Sequence, residues 1–376
     1  MKKKIAFVIN SLAGGGAEKQ VSRMLDCYIN SDWSKSYEVD LILLDIEEEK
    51  QKIPEGVRKI TIDSKGSLFQ STVALLQQVK HSEYVMLISF LTRSNCAAIV
   101  VGRLLKIPVV ISERVNTTAH LGKGFSASVN KAIVRLLYPW ASHICCVSSG
   151  VREELLANYS VVPKKASVIY NGYNYTELNN LALESVRTKA QDYICAVGRL
   201  VENKNFSLLL KAYQQSGVDL PLLIAGDGPL KESLKNEIVS LGLSEKVTLL
   251  GYVSNPYPII RNSKFLVASS NAEGFPNVIA ESLVLGVAVV ATDCPSGPAE
   301  VLDGSTASSS ISMSKFGILV KCGDVNALAS AISLMNCNEH HSEYTKQANI
   351  RGREFTIQKT TDNYFSIVNY WTNCNI

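Results

Sequence analysis

Several features that would each assign a function class are missing from this 376-residue chain. No run of eighteen uncharged apolar residues occurs, so no bilayer-spanning helix is expected. There is no Asp-x-Asp, and the five histidines (His81, His120, His143, His340 and His341) are scattered or merely adjacent, so no metal site is expected. There is no Cys-x-x-Cys. The nine cysteines are odd in number and sit mostly in apolar stretches, a usage that fits buried thiols in a reducing cytoplasm rather than disulfides or zinc. Neither Gly-x-Ser-x-Gly nor another nucleophile arrangement occurs. No dense Lys/Arg stripe is interleaved with aromatics, which argues against nucleic acid as a partner. The basic start, Met1 to Lys4, leads into an apolar run that stops at Asn10, too short for a signal peptide and better read as a first strand.

What is present is length and alternation. The chain is too long for one ordinary core and predicts two domains of somewhat under 200 residues each. Short apolar runs, beginning at Ile5–Ile9 and Val39–Leu44, alternate with helical periods such as Ala17–Ile29 and Leu68–Lys80. That alternation predicts an α/β fold with a parallel sheet covered on both faces and ligands beyond the carboxyl ends of the strands. The pattern breaks at Tyr170–Asn174 and stays polar with little strand character through residue 191. It then restarts at Tyr193–Val197. The expected domains are therefore 1–172 and 173–356, with an amphipathic segment from Ile357 to Trp371 crossing back, so that 357–376 joins the first domain. Residues 1–170 carry 22 Lys and Arg against 15 Asp and Glu, a surplus of seven, whereas 171–376 carry 16 against 19, a deficit of three. A basic first half suits an anionic partner such as a membrane surface or a phosphorylated lipid, and equally an ordinary solvated face.

Five stretches have a chemical reading. Residues 268–286 read as a strand, a polar turn holding Glu273-Gly274-Phe275-Pro276-Asn277, and an apolar helix. Pro276 suits the first helical position, which leaves the N–H groups of Asn277 and Val278 unpaired and attractive to anions or sugar oxygens. Glu273 and Glu281 flank that helix mouth at different depths. Gly198-Arg199, with Lys204 beyond, follows the first strand of the second half and places two cations where a diphosphate would bind, though two exposed loop cations read the same way. Gly226-Asp227-Gly228-Pro229 opens another helix, with Asp227 as its N-cap and glycines that permit close backbone approach. Gly14-Gly15-Gly16-Ala17-Glu18 follows strand one. It reads as a phosphate-facing turn or a plain tight turn, and Lys19 stands where a dinucleotide fingerprint needs its third glycine. Ser112-Glu113-Arg114 ends a strand. There Glu113 can accept a proton from a sugar hydroxyl, Arg114 can hold a lipid phosphate, or the two can form a structural pair. The rigid Cys294–Pro298 loop shapes a pocket edge.

Taken in order, Gly-Gly-x-Glu, Gly-Arg-Leu…Lys-Asn, Gly-Asp-Gly-Pro, Glu-Gly-Phe-Pro-Asn…Glu and Gly323–Leu328 resemble glycosyltransferase family 4 over essentially the whole chain. The resemblance implies the GT-B fold, two Rossmann-like domains facing a cleft, and a retaining, metal-independent transfer with no cofactor. It also implies roles. Arg199 and Lys204 bind the donor diphosphate, Glu281 the ribose hydroxyls and Glu273 the transferred sugar. The Gly274–Asn277 backbone lines the sugar site, Gly15 and Gly16 close over the diphosphate, and Gly226–Pro229 lies near the nucleotide. Many members carry a His where this chain has Ser112-Glu113-Arg114. The implied reaction moves a hexose or N-acetylhexosamine from a UDP-sugar to a polyprenyl-diphosphate-linked saccharide in O-antigen or capsule synthesis. A nucleotide-sugar epimerase of the same fold and a nucleotide-binding or NAD protein on paired Rossmann folds are the alternatives. Lys123–Trp140, with Lys123, Lys131 and Arg135 beside Phe125, Val129, Ile133, Leu136 and Leu137, suits a helix at a membrane surface or an ordinary helix on the sheet.

Overall fold

The computed structural model describes residues 2–118, 122, 124–184, 192–306 and 309–373. His120, Lys123 and Cys374 lie outside the described residues. The chain forms two compact units, unit 1 of Met1–Gly172 with Ile357–Ile376, and unit 2 of Tyr173–Thr356.

Unit 1 holds seven strands: β1 (Lys3–Ile9), β2 (Tyr37–Leu43), β3 (Arg58–Thr61), β4 (Tyr84–Phe90), β5 (Val109–Glu113), β6 (His143–Cys146) and β7 (Ala166–Val168). Their order is β3-β2-β1-β4-β5-β6-β7, with every pairing parallel. The central strands are apolar on both faces, as burial between helices requires. The final helix, Ile357–Asn373, packs Tyr364, Phe365 and Val368 into this core. Phe365 stacks on Tyr28 at 5.1 Å between ring centres and lies 5.6 Å from Trp33.

Unit 2 holds β8 (Ile194–Val197), β9 (Leu222–Ala225), β10 (Val247–Gly251), β11 (Phe265–Ala268), β12 (Ala288–Asp293), β13 (Ile311–Ser314) and β14 (Gly317–Lys321). Their order is β10-β9-β8-β11-β12-β14-β13. The sheet is parallel except at its edge, where β13 runs antiparallel to β14. A two-residue turn joins those two strands, too short for the crossover a parallel pair needs.

Both sheets share one winding. The order reverses between β1 and β4 in unit 1 and between β8 and β11 in unit 2. At such a switch the loops leave in opposite directions and open a crevice at the carboxyl edge.

The polar stretch after Asn174 contains a helix, Tyr175–Leu181, capped by the Asn174 side chain on the Glu177 N–H. The helix after Pro276 ends at Val284 rather than Gly286, because Gly286 adopts φ +74°.

Candidate functional site

Unit 2 gathers charge at its switch point. The loops after β8 and β11 are neighbours because those strands pair, and they are laced together. Asn271 N–H donates to Asn203 O at 2.8 Å, Asn203 Nδ2 to Ala272 O at 2.6 Å, and Asn205 Nδ2 to Asn271 Oδ1 at 2.9 Å. Asn205 takes φ +47°, which Asn tolerates, and caps the Phe206–Ser216 helix. This lacing brings Lys204 Nζ to 2.5 Å from Glu273 Oε1, which also accepts from Ser270 Oγ at 2.7 Å. Both side chains are largely covered, 24% and 12% exposed. Thr292 Oγ1 fixes the turn through Ser270 O, and Glu273 N–H reaches Pro295 O at 3.3 Å. The Cys294–Pro298 loop thus holds the turn from the β12 side.

Arg199 lies on the same loop as Lys204. It is exposed, and its guanidinium makes no hydrogen bond or ion pair among the described residues. Lys204 is charge-compensated by Glu273, whereas Arg199 on the same loop is an unspent cation. Lys204 retains donor capacity, because an ammonium carries three N–H bonds.

The Asn277–Val284 helix begins differently from expectation. Pro276 is its N-cap with φ −80° and ψ 79°, and Asn277 N–H turns back to Phe275 O at 2.9 Å. The Asn277 amide is therefore occupied. The Asn277 side chain accepts from Tyr173 Oη at 2.8 Å. Phe275 is buried edge-on against Phe355, so its ring is not available to a ligand. Glu281 sits one turn into the helix and accepts from Tyr257 Oη at 3.1 Å. Sequence reading gave Tyr257 no role. Nothing in the run Asn255-Pro256-Tyr257 signals that it faces a helix 24 residues on.

The Gly226–Pro229 stretch also departs from expectation. Asp227 is not a helix cap; Leu230 is the N-cap, and Asp227 binds Lys231 Nζ at 2.7 Å and its neighbouring Gly228 N–H. Gly226 and Gly228 make room for the neighbouring loop. A Cβ on Gly226 would fall 1.8 Å from Gly198 O, and one on Gly228 would fall 2.5 Å from Leu200 O. The loops are stitched by Leu200 N–H to Asp227 O and Leu230 N–H to Leu200 O. The glycines thereby set the path of the loop that carries Arg199.

In unit 1, Gly14 turns with φ +111°, Gly15 is the N-cap of the first helix, and Gly16 opens it. The Glu18 carboxylate folds over Gly15, and burial pushes its acid up from the usual range. Glu113 and Arg114 do not pair with each other. Glu113 is fully buried and accepts from Tyr138 Oη, Arg114 N–H at 3.1 Å and Val115 N–H at 3.4 Å. Burial without a cation pushes its carboxyl up to about 7. The Arg114 guanidinium is enclosed by Ser112, Tyr364 and Asn171. Both side chains are buried. They tie the end of β5 to the final helix and to the Tyr138 turn.

Residues 14–177 match the family described as Glycosyltransferase Family 4, and residues 183–351 match Glycosyl transferases group 1. The chain is 33% identical over 369 residues to N-acetylgalactosamine-N,N'-diacetylbacillosaminyl-diphospho-undecaprenol 4-alpha-N-acetylgalactosaminyltransferase of Campylobacter jejuni, covering 94% of this chain and 95% of that one. It is 27% identical to a second transferase of that organism, GalNAc-alpha-(1->4)-GalNAc-alpha-(1->3)-diNAcBac-PP-undecaprenol alpha-1,4-N-acetyl-D-galactosaminyltransferase, over 97% and 98% of the two chains. Among solved structures, Anabaena Alr3699/HepE in complex with UDP superposes with a TM-score of 0.77 at 18% identity, covering 98% of this chain and all of that one.

Proposed function

The chain belongs to glycosyltransferase family 4, and from that premise we propose that it moves a hexose or N-acetylhexosamine from a UDP-sugar to a saccharide carried on polyprenyl diphosphate, in the assembly of a bacterial surface polysaccharide such as an O-antigen or capsule. Both Campylobacter relatives are named for polyprenyl-linked acceptors, and the Anabaena structure holds UDP. The observation that carries the reading is the Arg199, Lys204 and Glu273 cluster at the switch point of unit 2.

Transfer needs the bond between the anomeric carbon and the diphosphate oxygen to break while negative charge grows on that oxygen. In this reading Arg199 and the remaining N–H bonds of Lys204 stabilise that charge without an ion. Glu273 orients Lys204 and faces the sugar. Glu281, steadied by Tyr257, takes the ribose hydroxyls. The acceptor hydroxyl attacks from the leaving-group side and gives its proton to the departing oxygen, so configuration is retained. Unit 2 is the donor unit and unit 1 the acceptor unit.

The acceptor's lipid tail places the enzyme at a bilayer, on the inner face of the cytoplasmic membrane. No helix among the described residues is long and apolar enough to cross one. The Phe125–Leu137 helix and the Trp140 turn instead expose Phe125, Val129, Leu136 and Trp140, with Arg135 beside them and the Arg103 guanidinium 5.8 Å from the Trp140 ring centre. Aromatic and basic side chains together suit peripheral binding to anionic lipid.

The test is a panel of nucleotide sugars offered with synthetic polyprenyl-diphosphate saccharides, with and without EDTA. Products are read by mass spectrometry and their anomeric configuration by NMR. An α-linked product from an α-linked UDP-sugar, formed equally in EDTA, is expected. Epimerised nucleotide sugar with no acceptor product, or saturable NAD binding without UDP binding, would overturn the reading.

A further inference from the structure

We infer that the cavity at the switch point of unit 1 is a subsite for an acetamido sugar, the terminal residue of the acceptor; this rests on the transfer reaction proposed above. The cavity measures about 520 Å³, within the ~300–1,000 Å³ usual for small-molecule sites. Asn10 enters it directly after β1, and Leu91 to Arg93 directly after β4. Val115 closes it beyond β5, and the far wall is the Phe125–Leu137 helix through Asn130, Ile133 and Val134.

The lining selects by what it withholds. Arg93 is the one cation on the wall among the described residues, and its charge is met by Asp45, with Ser64 and Ser71 taking a further N–H. That is a poor site for an anion and a suitable one for a neutral ligand. Cys96, Val115, Ile133 and Val134 offer an apolar wall, which a sugar carrying only hydroxyls would leave uncovered. The Asn10 side-chain oxygen is buried and has no hydrogen-bond partner among the described residues. A buried polar atom left unpaired is destabilising, so a ligand that pairs it gains. Rotation about the last side-chain bond presents either the oxygen or the nitrogen of the carboxamide to the cavity. Leu91, at the lip, holds φ +75°, a conformation a bulky residue adopts only when its surroundings impose it.

An acetamido group answers both features at once. Its N–H donates to the unpaired Asn10 oxygen, and its methyl needs an apolar wall. A hydroxyl in the same place can also donate to that oxygen, but it leaves the apolar wall uncovered. Asn10 therefore fixes the orientation, and the discrimination is set by Ile133 and its apolar neighbours.

The experiment is saturation-transfer NMR on the full chain with UDP at saturation. Methyl glycosides of N-acetylglucosamine and N-acetylgalactosamine are compared with methyl glucoside and galactoside. The acetamide methyl should receive the most saturation, and the hydroxyl counterparts should bind at least tenfold more weakly. Ile133→Trp, which fills the cavity, should abolish the methyl signal, and Asn10→Leu should weaken binding of both sugar classes. UDP affinity by calorimetry on the same samples reports the donor unit. Equal binding of the two sugar classes, or an undiminished methyl signal in both variants, with UDP bound normally, would overturn the acetamido subsite alone. Failure of the wild-type chain to bind UDP would overturn the transfer reading, and this inference with it.

Discussion

The two units wind their sheets the same way and open a crevice at the same place, yet they furnish it differently. In unit 2 the switch point carries Arg199, Lys204 and Glu273, held by asparagine ladders between adjacent loops. In unit 1 it carries a neutralised arginine, an unpartnered carboxamide and an apolar wall. The winding supplies only a location, and the loop side chains decide whether a polyanion or a neutral sugar fits there. The contrast also runs opposite to the crude charge count. The half with the cationic surplus spends its central arginine internally, whereas the half with the acidic surplus leaves Arg199 uncompensated.

The contrast can be broken most severely from the core. Phe365→Ala should cost unit 1 about 3–5 kcal/mol by emptying the stack on Tyr28 and Trp33. Calorimetry should then show a first transition well below the wild-type one, while UDP binding to unit 2 survives at low temperature. Loss of both together would mean the units do not stand as separate cores. Nearly as large is a pH effect confined to unit 1. Glu113, pushed up to about 7, keeps its proton in the fold, whereas the unfolded chain releases it near 4.5. Stability should therefore fall as pH rises between those values and level off above. The amplitude is about 3 kcal/mol at ~1.4 kcal/mol per unit. In Glu113→Gln that slope should vanish in denaturant titrations at pH 5 and pH 7.5, and an unchanged slope would assign it to other groups.

On the unit 2 side, Lys204→Ala and Glu273→Ala should each lower turnover by about a hundredfold with the melting temperature little changed. The double variant should be scarcely worse than either alone, because the side chains act as a pair. Additive losses would separate their roles. Arg199→Ala should raise the KM for the nucleotide sugar by roughly tenfold and flatten its dependence on salt, as befits an exposed cation. The smallest effect belongs to Tyr257→Phe, which removes one hydrogen bond to Glu281 at a cost of about 1 kcal/mol in nucleotide affinity. A uridine-independent loss would place Glu281 elsewhere.

Much of this was legible in the sequence, for a physical reason. Strands buried on both faces must be apolar throughout, so β1, β4 and β11 announce themselves within a residue or two. Amphipathic helices such as Phe206–Ser216 do the same. The helices that escaped notice contribute little to the core: Ser149–Asn158 buries only Val151 and Leu155, and Asn338–Gly352 only Tyr344, Ala348 and Gly352. β13 escaped because four residues, Ile311-Ser312-Met313-Ser314, are too short an alternation to stand out at a sheet edge. At the candidate site, Arg199, Lys204, Glu273 and Glu281 stand out through the order of short motifs. The contacts that arrange them do not. Which loop touches which depends on strand order, and strand order is set by the whole sheet, so Asn203, Asn271 and Tyr257 carried no signal. The interruption at Asn277 N–H is a matter of one backbone angle at Pro276. Asn10, Leu91 and Arg93 are single residues at strand ends, and only topology makes them neighbours.

Unit 1 is assembled from two stretches of chain, with the whole of unit 2 between them. During synthesis its sheet emerges first but lacks its seal, since Tyr364, Phe365 and Val368 are translated only after residue 356. Unit 2 is continuous and can close its own core beforehand. The part of the protein made earliest is therefore completed last. Until then Phe7, Tyr28 and Phe90 line an uncovered aromatic face on the nascent chain, the kind of surface that chaperones bind and that aggregates when they do not.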